Sequence, residues 1–144
     1  MNSQPGQTAS NYMDVASRWF TAGWTGDLAV ADELFSESLR TNGVLVGVAG
    51  PKDRILARLK GFPDIVTSIE DMFAAGDKLV IRLVWRGTHS GQYGGVEPTG
   101  KTVEVRDTAI WRFSGGKVTE IWTMQDQFAF LKQTGFLPDH IVAA

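Results

Sequence analysis

The segment from Thr102 to Phe113 constrains the fold of this chain more than any other. Its odd-numbered positions are apolar apart from Asp107, whereas its even-numbered positions are polar or charged apart from Ile110. Alternation with a period of two is typical of a strand that buries one face. A carboxylate on the buried face costs several kcal/mol unless it is paired or hydrogen-bonded. Asp107 is therefore predicted to be either a structural polar contact or a working group in a cavity.

The segment Gly95–Thr102 matches the phosphate-loop pattern G-x-x-x-x-G-K-[ST]. In that motif a strand leads into the loop and a helix leaves it, so that helix N–H groups point at the phosphates. Here the residues after Lys101 alternate as a strand, and Pro98-Thr99-Gly100 is typical of a hairpin tip. The sequence therefore predicts a hairpin at this place and no nucleotide site.

Composition excludes several classes of partner. A chain of 144 residues with 43% hydrophobic residues is large enough for one domain with a core. A net charge of −2 with both signs interspersed predicts no nucleic-acid partner. No apolar run is long enough to span a membrane, and no basic and apolar leader is present, so a cytoplasmic protein is expected. The absence of cysteine excludes thiol nucleophiles and thiolate metal sites.

The pattern changes from helices to strands along the chain. Residues 1–8 are predicted to be a disordered lead-in, and residues 9–144 a single domain. The predicted elements are a helix from Ser10 or Asn11 to about Gly23, a helix over 27–35, an extended segment over 39–47, a helix from Gly50-Pro51 to Gly61, strands near 65–74, 78–90, 102–113 and 117–125, and a helix over 126–133 capped by Asp126. We expect an α+β fold in which a curved antiparallel sheet wraps around N-terminal helices and leaves a pocket between the layers.

The partner of Asp107 depends on the register of two hairpins. If the first hairpin turns at Pro98, His89 lies opposite Asp107 and Trp85 lies opposite Trp111. If its loop is centred on Val96 instead, Trp85 lies opposite Asp107. Both registers keep the same faces inward, so both remain open.

The second hairpin turns at Ser114-Gly115-Gly116. A three-residue turn places Thr123 opposite Asp107, and this is the register we favour. A two-residue turn over Gly115-Gly116 would place Met124 there instead.

An apolar cavity that holds a carboxylate and an imidazole suits acid/base catalysis, because burial tunes such groups toward neutral pH. We predict Asp107 as the principal acid/base and His89 as a proton donor or relay. The predicted lining residues of the cavity are Phe20, Trp85, Trp111 and Thr123, with Tyr93 at its entrance. The same aromatic residues could equally form the core, and Asp107 could be structural. No metal-binding spacing and no nucleophile elbow occurs, so a site without metal or cofactor is expected.

Three stretches resemble the SnoaL-like polyketide cyclases. Gly87-Thr-His-Ser-Gly91 followed by Gly95-Val-Glu-Pro-Thr-Gly100 resembles a hairpin of that family. Phe113-Ser-Gly-Gly-Lys-Val118 resembles its glycine turn, and the segment from Asp126 to Gly135 resembles its closing helix. The resemblance implies a cone-shaped α+β barrel, usually oligomeric, whose hydrophobic cavity binds aromatic or polyketide-derived intermediates without a cofactor.

The chain departs from the family at the catalytic pair of its aldol cyclases. Thr123 stands at the place of the family aspartate and Ala109 at the place of the nearby histidine. Asp107 is predicted to take over the acid/base role. An Asp-Arg-Asp arrangement like that of related epoxide hydrolases is not expected, because the neighbours Arg106 and Asp107 point to opposite faces of a strand.

These observations predict a cyclase or isomerase of a polyketide-type or other natural-product intermediate. Two alternatives are a cofactor-independent hydroxylase of an aromatic polyketide and a non-catalytic module that binds a ligand or dimerises. The expected partners are an apolar or aromatic small molecule and a second copy of the chain. Val84, Ile110 and Trp122 on the outer sheet face predict a homodimer.

Overall fold

The computed structural model describes residues 5–137 and residue 140. Its helices are α1 (Pro5–Thr21), α2 (Val30–Leu34), α3 (Ala49–Gly61) and α4 (Gln127–Gln133), with a 3₁₀ turn at Gly23–Thr25. Its strands are β1 (Phe35–Thr41), β2 (Val44–Leu45), β3 (Val66–Ala75), β4 (Lys78–Thr88), β5 (Thr102–Ser114) and β6 (Lys117–Gln125). None of the helices in these residues is long and apolar enough to cross a membrane.

The six strands form one curved sheet in the order β2-β1-β6-β5-β4-β3. Neighbouring strands run antiparallel except for β1 and β6, which are parallel. The inner faces of β4 and β5 bury their alternating apolar residues against aromatic side chains of α1 and the 3₁₀ turn. The predicted α+β class, with N-terminal helices packed on a curved sheet, is confirmed.

The N-terminal elements differ from the prediction in their bounds. Helix α1 begins at Pro5, so residues 5–8 of the predicted lead-in are helical, while residues 1–4 lie outside the described residues. Proline is tolerated in the first helical turn, where its missing N–H has no partner to lose. The second helix is shorter than predicted, because the chain becomes extended at Phe35 and enters the sheet beside β6.

Both predicted registers for the first hairpin are wrong. The ladder pairs Leu83 with Asp107 and Trp85 with Val105, and it continues to a bond from His89 N–H to the Lys101 carbonyl. The loop turns at Gly94-Gly95, where both glycines have positive φ, and not at Pro98. A Gly-Gly pair fits a two-residue hairpin turn because neither residue carries a Cβ that opposes positive φ. The predicted parity of the two strands is nevertheless correct.

Both predicted registers for the second hairpin are wrong at Asp107, which pairs with Gln125 and not with Thr123 or Met124. Ser114 pairs with Lys117, so the turn has two residues, but a bulge at Thr119 then shifts the register by one. A bulge places two residues of one strand opposite one residue of the other. As a result, Thr123 points inward and pairs with Ala109, whereas Met124 is 80% exposed on the outer face.

Helix α4 begins as predicted. The Asp126 carboxylate accepts the backbone N–H of Ala129 at 3.0 Å, which is the bond expected of an N-cap. The helix therefore closes one edge of the inner sheet face through Phe130, which is fully buried.

Candidate active site

Asp107 lies on the inner face of β5 and is 5% exposed. The hydroxyl of Thr123 donates to its Oδ1 atom at 2.8 Å. Thr123 is a diagonal neighbour on β6, where side chains of adjacent strands remain within reach of each other. The expected contact between Thr123 and Asp107 is therefore present, although direct cross-strand pairing joins Asp107 to Gln125.

A cation that the sequence analysis missed faces the second carboxylate oxygen. Arg58 of α3 is 6% exposed, and its Nη2 atom lies 3.7 Å from Asp107 Oδ2. Pro51, Ile55 and Arg58 are buried on one face of α3, at spacings of four and three residues. This spacing was the available signal. Leu56, an apolar residue of the same helix, is half exposed.

Burial is the main influence on the Arg58 guanidinium and lowers its pKa from the ordinary value. The positive charge of Arg54 also lowers that pKa, whereas Tyr93 and the Asp107 carboxylate raise it. A guanidinium keeps its proton in proteins, so Arg58 supplies a permanent positive charge beside the buried carboxylate. The ring of Trp24 lies 4.6 Å from Arg58 Cζ and adds a cation–π contact.

Polar side chains extend from Arg58 toward the end of β6. Arg58 Nη2 donates to Gln125 Oε1 at 3.2 Å, and Gln125 Nε2 donates to Gln127 Oε1 at 3.0 Å. Gln125 Nε2 also lies 3.4 Å from the Tyr93 hydroxyl. The Nε atom of Arg58 is buried and has no hydrogen-bond partner among the described residues. Arg58 therefore keeps a donor that no described protein group uses.

A cavity of about 50 Å³ opens between α3, the 3₁₀ turn and the sheet, with Asp107 on its wall. This volume has room for a few water molecules and is smaller than a typical ligand pocket. Its aromatic walls are Trp19, Phe20, Trp24 and Trp111, its polar groups are Thr41, Arg54, Arg58, Asp107 and Thr123, and the remaining walls are Pro51, Ile55, Leu83, Ala109 and Ile121.

The structure brings Asp107 together with three of the predicted lining residues, Phe20, Trp111 and Thr123. Trp85 does not line this cavity. It is fully buried next to the ring of Phe62, with the two ring centroids 4.9 Å apart.

His89 does not reach Asp107, and the predicted pairing of the two is wrong. The backbone N–H of His89 donates to the Lys101 carbonyl, so His89 lies beside Lys101 in the sheet. Lys101 lies six residues before Asp107 in the sequence. At the rise of a strand this separation is about 20 Å. The physical reason is that the hairpin turns at Gly94-Gly95. The resulting register places His89 beyond the end of β4.

The surroundings of His89 are aromatic. Its ring stacks on Phe62 and meets the edge of Phe130, with centroid distances of 5.4 and 5.5 Å. Its Nδ1 atom lies 3.0 Å from the Thr99 hydroxyl, and its Nε2 atom has no partner among the described residues. Tyr93 packs on the same cluster and is partly buried, and only its hydroxyl approaches the polar chain that leads to Arg58.

The arrangement at Asp107 can perform proton transfer. One oxygen is held by a hydroxyl, the other faces a cation, and the carboxylate is buried on the cavity wall. Arg58 could in addition stabilise an oxyanion that develops on a bound molecule. Among the described residues, no group of three His, Asp or Glu side chains is placed to hold a metal ion.

Comparison with solved structures shows the same fold in several bacterial proteins. A putative SnoaL-like polyketide cyclase from Jannaschia sp. CCS1 is 23% identical with a TM-score of 0.82, and the match covers 96% of this chain and 99% of that one. AclR, a putative hydroxylase from Streptomyces galilaeus, is 26% identical with a TM-score of 0.80, over 91% and 85% of the two chains. IdmH, a putative polyketide cyclase from Streptomyces antibioticus, is 27% identical with a TM-score of 0.76, over 85% and 97%.

No functionally curated protein matches the chain significantly. The family profile described as SnoaL-like polyketide cyclase matches residues 13–134, which include every helix and strand of the fold except the start of α1. The resemblance in the three sequence stretches is thereby confirmed, and the chain belongs to the SnoaL-like polyketide cyclase family.

Proposed function

We propose that this protein is a cofactor-independent cyclase or isomerase that acts on a polyketide-type or other natural-product intermediate. The observation that carries the proposal is the buried carboxylate of Asp107, which has one hydroxyl donor, one cationic neighbour and a cavity in front of it. A carboxylate in such surroundings is suited to remove a proton from carbon and to return it elsewhere.

In the proposed reaction Asp107 takes a proton from a carbon next to a substrate carbonyl. The electron pair moves onto the carbonyl oxygen, and the guanidinium of Arg58 stabilises the negative charge that develops there. For ring closure the enolate carbon attacks a second carbonyl of the same substrate, the π bond of that carbonyl breaks, and the alkoxide that forms takes the proton from Asp107. For isomerisation Asp107 returns the proton to a different carbon of the same conjugated system. Thr123 keeps the carboxylate in one orientation throughout.

The altered catalytic pair of the family is compatible with this assignment. Ala109 and Thr123, which occupy the places of the aldol histidine and aspartate, pair directly across β5 and β6. Both line the cavity that contains Asp107. The family positions and Asp107 therefore share one cavity, so the acid/base carboxylate can lie on β5, one inward position from Ala109, instead of on β6 at Thr123 and still face the same space.

The test is an incubation of the wild type and of Asp107→Asn with an extract of polyketide intermediates, under air and under argon, followed by high-resolution mass spectrometry. We expect a product of unchanged mass, or one lighter by a water, formed equally under both gases. In Asp107→Asn its rate should fall by about a hundredfold or more, because general acid/base groups contribute that much. Asp71→Asn, at an exposed position on β3, is the matched control and should keep full activity.

A second candidate function is hydroxylation of an aromatic polyketide, which the name of AclR favours. It predicts a product heavier by one oxygen atom that forms only under air. Activity that survives in a folded Asp107→Asn protein would remove Asp107 from the mechanism. Failure to form any product from any extract would favour a non-catalytic ligand-binding module.

We also propose a homodimer through the outer sheet face. Ile110 and Trp122 pair there, and Val66, Phe73 and Met124 are 65%, 52% and 80% exposed on the same face. Val84 was expected to contribute but is only 7% exposed. Sedimentation velocity should show a dimer that Trp122→Glu converts to a monomer, whereas Phe136→Glu, which lies outside the sheet, should not. A monomeric wild type would contradict the proposal.

A further inference from the structure

Helix α3 carries a second arginine toward the cavity. Arg54 precedes Arg58 by four residues, the spacing that places two side chains on one helix face. Both residues line the cavity, but Arg58 is buried beside Asp107 while Arg54 is exposed. The guanidinium of Arg58 therefore lies in the inner part of the cavity wall, and the guanidinium of Arg54 lies in its outer part.

The charges of this wall do not balance. The ionisable residues that line the cavity are Arg54, Arg58 and Asp107, which leaves an excess of one positive charge in a chain whose net charge is −2. Arg54 is close enough to Arg58 for its charge to lower the pKa of that residue. Like charges one helical turn apart destabilise a helix, so a carboxylate beside Arg54 would stabilise this pair.

Arg54 finds no such group within the described part of the chain, where it makes neither a hydrogen bond nor an ion pair. Several other cations do have such a group. Arg18, Lys52, Arg86 and Arg112 each pair with a carboxylate, namely Glu33, Asp32, Glu104 and Glu120. Arg40, Arg82 and Arg106 also form no ion pair with a carboxylate within the described part of the chain, but none of them lines the cavity. Arg54 is therefore the arginine of the cavity lining whose charge is left without a carboxylate.

We infer that the substrate carries a carboxylate group and that Arg54 binds it at the cavity mouth. This inference rests on the proposed function only in assigning substrate binding to the Asp107 cavity. The guanidinium fork matches a carboxylate in a bidentate contact. A singly charged acid also cancels the excess of one positive charge, which a phosphate monoester would exceed. The apolar part of the substrate then lies against the tryptophans, and its reacting carbon faces Asp107.

The test compares two probes of the same size, 2-naphthoate and 2-naphthamide, by isothermal titration calorimetry. Any widening of the cavity that the rings require is common to both, so their affinity ratio reports recognition of the acid group. We expect the wild type to prefer 2-naphthoate about tenfold or more, and the preference to decrease with added salt. In Arg54→Gln the preference should fall to about twofold or less while the affinity for 2-naphthamide stays unchanged.

Two further variants sharpen the result. Arg54→Lys keeps the charge but loses the bidentate fork, so it should retain an intermediate preference. Arg82→Gln removes an exposed arginine from β4, outside the cavity, and should behave as the wild type. Equal affinity of the wild type for the two probes, a preference that survives Arg54→Gln, or no binding of either probe would each overturn the inference.

The outcome separates this inference from the proposed function because probe binding needs no turnover. A protein that prefers 2-naphthoate but stays fully active as Asp107→Asn would contradict acid/base catalysis at Asp107 alone. A protein that shows no acid preference but loses turnover in Asp107→Asn would contradict the role of Arg54 alone.

Discussion

Two buried ionisable groups lie along the same inner side of the sheet, and their surroundings differ in almost every respect. Asp107 has a hydroxyl donor, a cation and a cavity. His89 is enclosed by the rings of Phe62 and Phe130, with one nitrogen unpartnered among the described residues and no place on the wall of that cavity. Both are at most 5% exposed.

The comparison separates burial from chemical competence. A buried ionisable group can act on a substrate only if space for that substrate adjoins it and if neighbouring groups stabilise its charged form. Asp107 meets both conditions, whereas the packing around His89 resembles an aromatic core. A role for His89 as proton donor or relay stays a prediction, and a substrate or water would have to connect it to Asp107.

Among the substitutions that test this contrast, Arg58→Leu is expected to have the largest effect, which is on the unfolding free energy. Removal of the cation leaves the carboxylate of Asp107 buried without compensation, which typically costs about 3 to 5 kcal/mol of unfolding free energy. The urea midpoint should fall accordingly with an unchanged denaturant slope. The double variant Arg58→Leu/Asp107→Leu should recover most of the loss, and a single variant as stable as the wild type would show that the pair is not coupled.

A smaller effect is expected from Thr123→Val, which deletes the donor to Asp107 Oδ1 while conserving shape. Hydrogen bonds to charged groups are worth about 1.5 to 3 kcal/mol, so the turnover rate should fall about tenfold or more. Thr123→Ser keeps the hydroxyl and should restore most of the rate. Equal rates in the two variants would mean that the hydroxyl does not orient the carboxylate.

His89→Leu tests whether His89 differs from Asp107 in having no part in the reaction. The only hydrogen bond that the side chain loses is the one between Nδ1 and Thr99, and leucine keeps an apolar side chain against Phe62 and Phe130, so the unfolding free energy should change by less than about 1.5 kcal/mol. Turnover should stay within about threefold of the wild type. A folded variant that loses activity a hundredfold would instead assign His89 to the reaction and remove the distinction between the two regions.

The smallest effect concerns Asp64, an exposed carboxylate that serves as a reference for the buried one. The hydroxyl of Thr88 and then its backbone N–H donate to the two oxygens, and these bonds lower the pKa of Asp64. A lowered folded-state pKa stabilises the protein above the unfolded value of about 3.9, and the gain is lost as the pH falls through the folded pKa.

In Asp64→Asn we therefore expect a loss of less than about 1 kcal/mol at pH 7, because solvent screens an exposed carboxylate. The difference from the wild type should shrink as the pH of the urea unfolding experiment falls below about 4, and it should disappear once the pH lies below the folded-state pKa of Asp64. A difference that persists at low pH would mean that Asp64 acts through packing rather than through its charge.

The buried faces of the strands were predictable because a change of register by an even number of residues leaves every side chain on the same face of the sheet. Alternation alone placed Asp107 and Trp111 on the buried face, and that burial is confirmed. The contact between Thr123 and Asp107 was also anticipated, but from direct pairing after a three-residue turn, whereas it arises from a two-residue turn and a bulge that was not predicted. Local sequence patterns therefore predict well which residues lie on each face of a sheet.

The register and the cation were not predictable in the same way. The loop after His89 is held by the end of α3, where Ser90 and Gly91 donate to the Gly61 carbonyl, and no local pattern encodes that contact. Arg58 was overlooked because a charged residue on a helix is usually solvated. Only the tertiary partner Asp107, which is 49 positions away in the chain, explains its burial.

The bulge at Thr119 has a consequence for how the length of this strand can vary between relatives. Deleting Thr119 would leave Phe113 paired with Val118 and Arg112 with Glu120, so every later residue would keep its face. Deleting Ile121 would instead turn Thr123 outward and bring Met124 into the cavity. Insertions and deletions that preserve chemistry at Asp107 should therefore collect at the bulge, which acts as the one length-tolerant position between the turn and the site.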